Sequence, residues 1–168
     1  YALRWITHDQ PPPTEPLTFL NLCRSNNYDG YRTALPSFYC PAQNFVFAAV
    51  TGDIAIQPQG KYPLRRFEQG RFLLDGSLSS SDWSGFIPQQ DVPSMKNPSR
   101  GFVSSANQHS TPPSYPYYYT GNFDDFRGRR INDRLTGMQG ATVDSMKAMQ
   151  LDNFSRKAAD ALPVMLRY

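Results

Sequence analysis

The stretch NFVFAAVTGDIAI, residues 44–56, narrows the choice of fold more than any other. Two short apolar runs rich in Phe, Val and Ile flank Thr51-Gly52-Asp53, a turn sequence. That pattern predicts an antiparallel hairpin over 44–57, with 44–50 as a buried strand. The segments around it are helical in period. Thr14 is a candidate cap for a helix presenting Leu17, Phe19, Leu20 and Cys23. Asn27 is a second, and after it Tyr28, Tyr31, Leu35 and Phe38 recur at helical spacing, with Pro36 set to end the helix. Strands also suit YALRWIT at the start and GFVSSA at 101–106. Further on, DDFRGRRINDRL predicts a helix with Phe126, Ile131 and Leu135 inward and acids in its first turn. Thr142 should cap a last helix whose stripe runs from Val143 through Met146, Leu151, Phe154 and Ala158 to Leu162. Helices and strands do not alternate as βαβ units, so the class is α+β, or layered antiparallel sheet.

Composition adds limits. With 15 prolines and only 18% charged residues in 168, the chain is rich in fixed turns. The segment from Gln57 to Arg100 has no clear period, and a loop of that length is functional or packed on something else. A net charge of +3 is too weak and too scattered to mark a nucleic-acid binder. No run of eighteen apolar residues is present, so no membrane span is expected. Cys23 and Cys40 are expected as free thiols, with a disulfide as the alternative.

Few catalytic sets are available. A Ser–His–Asp triad needs a histidine, and His8 and His109 both sit among prolines and polar loop residues. There is no H-E-x-x-H, no Walker motif and no G-x-G-x-x-G, so neither a complete zinc site nor a nucleotide site is expected, and no cofactor. Asp124 and Asp125 suit a helix start without any catalytic role. Arg127, Arg130 and Arg134 fall on one helical face, which is either solvated or turns one guanidinium inward onto a carboxylate or carbonyl. Tyr115, Tyr117, Tyr118 and Tyr119 either fill a layer or stack on a ligand. Asn107 closes the run GFVSSAN. It is either a plain strand-end amide or a neutral donor aimed at a developing oxyanion.

Four stretches in order bear on that choice: PAQNFVFAAVTGDIAI, GKYPLR, NPSRGFVSSANQ with the following SYP, and RGRRINDRL. Together they resemble the β-chain of the penicillin acylase (penicillin amidase) family, over most of the chain and irregularly across 68–95. The resemblance implies an N-terminal-nucleophile hydrolase, a four-layer αββα sandwich with antiparallel sheets, made from one precursor cut into two chains. The nucleophile is then a serine at the start of the β-chain. Its own α-amino group titrates near neutrality and acts as the base. Substrates implied are small-molecule amides: β-lactam antibiotics and, in related members, N-acyl homoserine lactones. The location implied is periplasmic or secreted.

Residue by residue, Asn107 matches the family asparagine that completes the oxyanion hole, and Arg127 the arginine near the active site, with Arg130 as its alternative. Gln43 and Leu20 match positions that line the acyl pocket. A calcium ligand would fall near Tyr118 or Tyr119, neither of which is a carboxylate. Nothing like the family's β-chain start is seen, and Tyr1 opens on what reads as a fold interior. Residues 1–168 are therefore expected to form an internal β-chain fragment without a separate second domain. Its partners would be the α-chain and the N-terminal part of the β-chain, with neither nucleic acid nor membrane among them. It would be inactive alone. The competing readings are an aromatic-rich glycan- or peptide-binding module, and an acylase relative that has lost catalysis. Gln108 and His109 are expected to matter less than Asn107.

Overall fold

A computed structural model describes residues 1–9, 13–119, 121 and 123–167. The chain is α+β, with a small antiparallel sheet. It divides into two compact units, Tyr1–Pro98 with Ser110–Gly121, and Ser99–His109 with Asn122–Tyr168.

In the first unit the predicted hairpin forms. Strands β1 (Gln43–Ala48) and β2 (Ile54–Gln59) pair antiparallel, with Phe45 opposite Gln57 and Phe47 opposite Ala55. The turn works because Gly52 takes φ +94°, a conformation that glycine adopts at little cost. Helices α1 (Glu15–Arg24) and α2 (Tyr28–Ala34) cover one face of this sheet. Asn27 caps α2 by accepting from the Gly30 N–H at 2.9 Å. Pro36 ends it, and Leu35–Ser37 tighten into a single 3₁₀ turn. Thr14 precedes α1 but makes no cap bond. Its hydroxyl donates to the Ser37 carbonyl at 2.7 Å and ties the start of α1 to the end of α2.

The core is Tyr31, Leu35 and Ala55, with Leu22, Tyr28, Phe45 and Phe47 packed around it. Behind it runs a polar seam. Arg32 donates to the Gln57 side-chain oxygen, the Gln57 amide to Gln59 at 2.6 Å, and the Gln59 amide to Gln89 at 3.2 Å. Gln57 and Gln59 are both buried, and this chain of bonds is what makes their burial tolerable. The long loop is packed, not loose. Buried Gln69 donates to the carbonyls of Ser81 and Asp82, both at 3.0 Å.

Three expectations fail here. β1 is an edge strand with Val46 exposed, so it is not buried on both faces. YALRWIT forms no strand, and Ile6–Asp9 make a 3₁₀ turn instead. GFVSSA is irregular despite its β-prone residues, and among the described residues it joins no strand ladder. The third strand is β3 (Met95–Lys96), which pairs with Ala55 and Ile56 of β2. Asn97 locks that pairing by accepting from Ile54 N–H at 2.9 Å and donating to Asp53 at 2.6 Å.

In the second unit a loop over 99–109 precedes three helices. They are α3 (Phe126–Thr136), α4 (Val143–Gln150) and α5 (Arg156–Met165). Asp124 and Asp125 stand before α3, not in its first turn, and Asp125 makes no cap bond. Thr142 caps α4 as expected, in a reciprocal box with Ser145. The predicted single last helix is broken. Its chain leaves α4 at Leu151, and Ser155 caps α5 by accepting from Ala158 N–H at 3.2 Å. Cys23 and Cys40 are free thiols. No helix among the described residues is long and apolar enough to cross a membrane.

Candidate active site

Asn107 is not at a strand end. It sits in a loop with φ +62°, left-handed backbone that asparagine accepts far more readily than most side chains. The turn leaves Asn107 exposed while its neighbour Ala106 is buried. Twenty residues on, Arg127 in the first turn of α3 reaches back. Its Nη2 donates to the Asn107 side-chain oxygen at 2.5 Å and to the Ala106 carbonyl at 3.4 Å.

That contact fixes the chemistry of the amide. A guanidinium is a donor only, so the atom facing it must be Oδ1. Both Nδ2–H donors then lie on the opposite side of the carboxamide. The cation also draws electron density toward Oδ1, which makes those N–H groups stronger donors. The result is an uncharged donor pair, aimed away from a clamp and pre-set in one orientation.

If one guanidinium of this face turns inward it is not that of Arg127, whose side chain is exposed. The buried residue on that turn is Gly128. Arg127 thus works at the surface of the helix, where it borders a cleft of about 500 Å³. Phe126, Arg130, Ile131, Asp152 and Phe154 line the same cleft. Arg127, Arg130 and Arg134 do share this face. Arg130 is committed elsewhere, however. It holds Asp152 through Nη2 at 2.6 Å and Nε at 3.1 Å, and stacks over the Phe154 ring at 4.4 Å. Arg134 joins it on Asp152 at 3.5 Å. The hydrogen bonds from Arg130, with the Phe154 N–H and the arginine charges, hold the Asp152 carboxyl below the usual carboxylate range. Of the two candidates, Arg127 is the one that touches Asn107.

Leu20 and Gln43 belong to the other unit, on α1 and at the start of β1, and both are exposed. The tyrosine stretch is turned to packing. Tyr115 donates to the Asp91 carbonyl at 2.8 Å and Tyr117 to the Asp91 carboxylate at 2.5 Å. Tyr118 packs edge-on against Phe67, and Tyr119 lies against Tyr62. Burial pushes the Tyr115 hydroxyl up to about 12. Neither Tyr118 nor Tyr119 offers a carboxylate, and both rings are turned to packing. Among the described residues no group of three acidic, histidine or cysteine side chains gathers to hold a metal.

Two parts of the site escaped the sequence pattern. Gln108 accepts from Ala106 N–H at 2.6 Å and donates to the Ser104 carbonyl at 3.2 Å. Ser104 in turn donates to Asn132 of α3 at 2.9 Å. The one available signal was Asn107 itself, a residue type favoured in left-handed turns.

Residues 1–168 match the family described as penicillin amidase. Over 113 residues the chain is 28% identical to penicillin acylase 2 proenzyme of Pseudomonas sp. (strain SE83), covering 67% of this chain and 15% of that protein. Over 142 residues it is 29% identical to acyl-homoserine lactone acylase QuiP of Pseudomonas fluorescens (strain Pf0-1), covering 84% and 17%. In three dimensions it is similar to a thermostable penicillin G acylase from Alcaligenes faecalis, with a TM-score of 0.62 at 20% identity. The match covers 78% of this chain and 24% of that one, and it bears on the fold alone. The chain thus spans 15% and 17% of the length of these two curated relatives.

Proposed function

This chain belongs to the penicillin amidase family, and from that premise we propose that it supplies part of the oxyanion hole of an amidohydrolase. In this reading Asn107 donates an Nδ2–H to the oxygen of the tetrahedral intermediate. Arg127 orients and polarises the amide from behind. The attacking group is the hydroxyl of an N-terminal serine outside these 168 residues, with its own α-amine as base. The carbonyl carbon gains a bond to the serine oxygen, its oxygen takes the negative charge, and Asn107 stabilises that charge. Collapse expels the amine, which takes up the proton held by the α-amine, and water later releases the acid.

The observation that carries this reading is the Arg127 bond to Asn107 Oδ1. It leaves a neutral, fixed donor pair, which suits charge that appears only during reaction. The relatives named above support two substrate classes: β-lactam antibiotics and N-acyl homoserine lactones. Exposed Gln43 and Leu20 are assigned to the acyl-binding side. A helix layer on one sheet face and exposed Val46 on the other suit one half of an αββα stack. The chain is accordingly assigned as part of a periplasmic or secreted enzyme, inactive without the remainder of its precursor.

The test is Asn107→Ala in the complete protein. Loss of one oxyanion donor lowers kcat by about a hundred- to a thousandfold, roughly 2.7–4 kcal/mol. Both kcat and kcat/KM should fall together with KM little changed, because the contact strengthens in the transition state. Unchanged turnover on a chromogenic acyl anilide would refute the assignment.

A further inference from the structure

Gln108 closes the loop that carries Asn107. One carboxamide ties Ala106 N–H to the Ser104 carbonyl, with bonds of 2.6 and 3.2 Å. Ala106 is buried, and its own carbonyl accepts from Arg127 at 3.4 Å. The residue just before Asn107 is therefore held on its N–H side by Gln108 and on its C=O side by Arg127. The same carboxamide rests on α3. A Cβ built on Gly128 would lie 3.2 Å from Gln108 Oε1 and 3.3 Å from its Cδ, which is tighter than most side-chain contacts. Gly128 follows Arg127 directly, so Gln108 touches the helix at the base of the clamp. Ser104 bonds Asn132 at 2.9 Å and adds a second tie between loop and helix.

We propose that Gln108 is a positioning residue for the acyl-transfer reaction, setting the distance and angle between the Asn107 amide and Arg127. The proposal rests on the reading of Asn107 as an oxyanion donor. It reverses the expectation that Gln108, as a mere neighbour of Asn107, tolerates substitution. The task needs an acceptor and a donor on one planar group, which a glutamate does not offer at neutral pH. Without the brace, a non-glycine residue at positive φ has easier backbone states to relax into. The donor then moves away from the oxyanion, and an error of about 1 Å in such a group costs on the order of a hundredfold in rate.

The experiment is a double-mutant cycle in the complete enzyme: wild type, Gln108→Met, Asn107→Ala and the double variant. Methionine keeps the length and volume and removes both hydrogen bonds. Gln108→Met should lower kcat by about ten- to a hundredfold with KM nearly unchanged. In the Asn107→Ala background the same change should lower kcat by less than about twofold, because there is no donor left to position. An equal loss in both backgrounds would mean general damage to the fold and would overturn the proposal. So would full activity of Gln108→Met while Asn107→Ala is crippled. If Asn107→Ala itself keeps full turnover, the oxyanion reading falls and takes this proposal with it, an outcome distinct from the other two. Should the methionine variant fail to accumulate, Gly128→Ala serves in its place. Alanine favours the helix yet presses a methyl on the Gln108 carboxamide. In that variant kcat should drop several-fold, and unchanged kcat would overturn the proposal.

Discussion

In the first unit Leu35 is fully buried with Tyr31 and Ala55, and Leu22, Tyr28, Phe45 and Phe47 pack against that centre. In the second unit α3 buries only Gly128, while α4 and α5 bury nothing among the described residues. Its helices are linked by charge instead: Arg129 to Asp160 at 2.7 Å, Arg156 to Asp133 at 3.0 Å, Arg130 to Asp152 at 2.6 Å. Apolar packing is strong and non-directional. Hydrogen-bonded pairs contribute less net stability but fix angles. The candidate donor lies in the unit built on angles, where aiming one amide matters more than resisting unfolding.

The comparison breaks first, if at all, at Leu35. Leu35→Ala removes a fully buried side chain and should destabilise the first unit by about 2–5 kcal/mol. Denaturant unfolding followed by tyrosine fluorescence measures it. A loss below about 1 kcal/mol would mean that the aromatic cluster does not act as a core. A smaller and different effect is expected at Arg127. Lysine keeps the charge but not the planar fork, so Arg127→Lys in the complete enzyme should lower kcat by roughly tenfold. Because the side chain is exposed, Tm should hardly move. A fall in Tm with kcat intact would assign Arg127 to the framework.

The smallest effect concerns pH. Asp152 has a depressed carboxyl pKa in the folded chain, held there by Arg130. Its stabilising contribution is complete above the unfolded value of about 3.9 and is lost as pH falls through the lower folded value. Below about pH 4 the second unit should therefore loosen. Asp152→Asn should flatten that acid limb. Thermal melts in steps from pH 6 to pH 3 report it, and an identical acid limb in the variant would remove Asp152 from the account.

What was legible in the sequence was local. Gly52 and the apolar runs beside it specify the hairpin within a dozen residues, and Asn27 and Thr142 cap the helices that start directly after them. What was hidden depended on distant partners. Phe102 and Val103 have strand-like character, yet a strand exists only where another backbone pairs with it, and Met95–Lys96 took that place on β2. The split between α4 and α5 follows from Asp152, which accepts from Phe154 N–H at 3.1 Å while holding two arginines of α3. Asn107 and Arg127 were each picked out by resemblance. Their bond joins residues twenty apart in the sequence. No periodicity encodes that bond.

The left-handed backbone at Asn107 also sorts the residues that evolution or an engineer can place there. Glycine would relieve the conformation and leave a bare loop with nothing to donate. Aspartate would keep the turn and, if Asn107 is the proposed oxyanion donor, set a negative charge where one must form. Most other side chains would strain the backbone. On the proposed reading of Asn107, durability and turnover therefore pull position 107 in opposite directions. A campaign that selected only for heat resistance would drift toward glycine there, and collect sturdy proteins that no longer work.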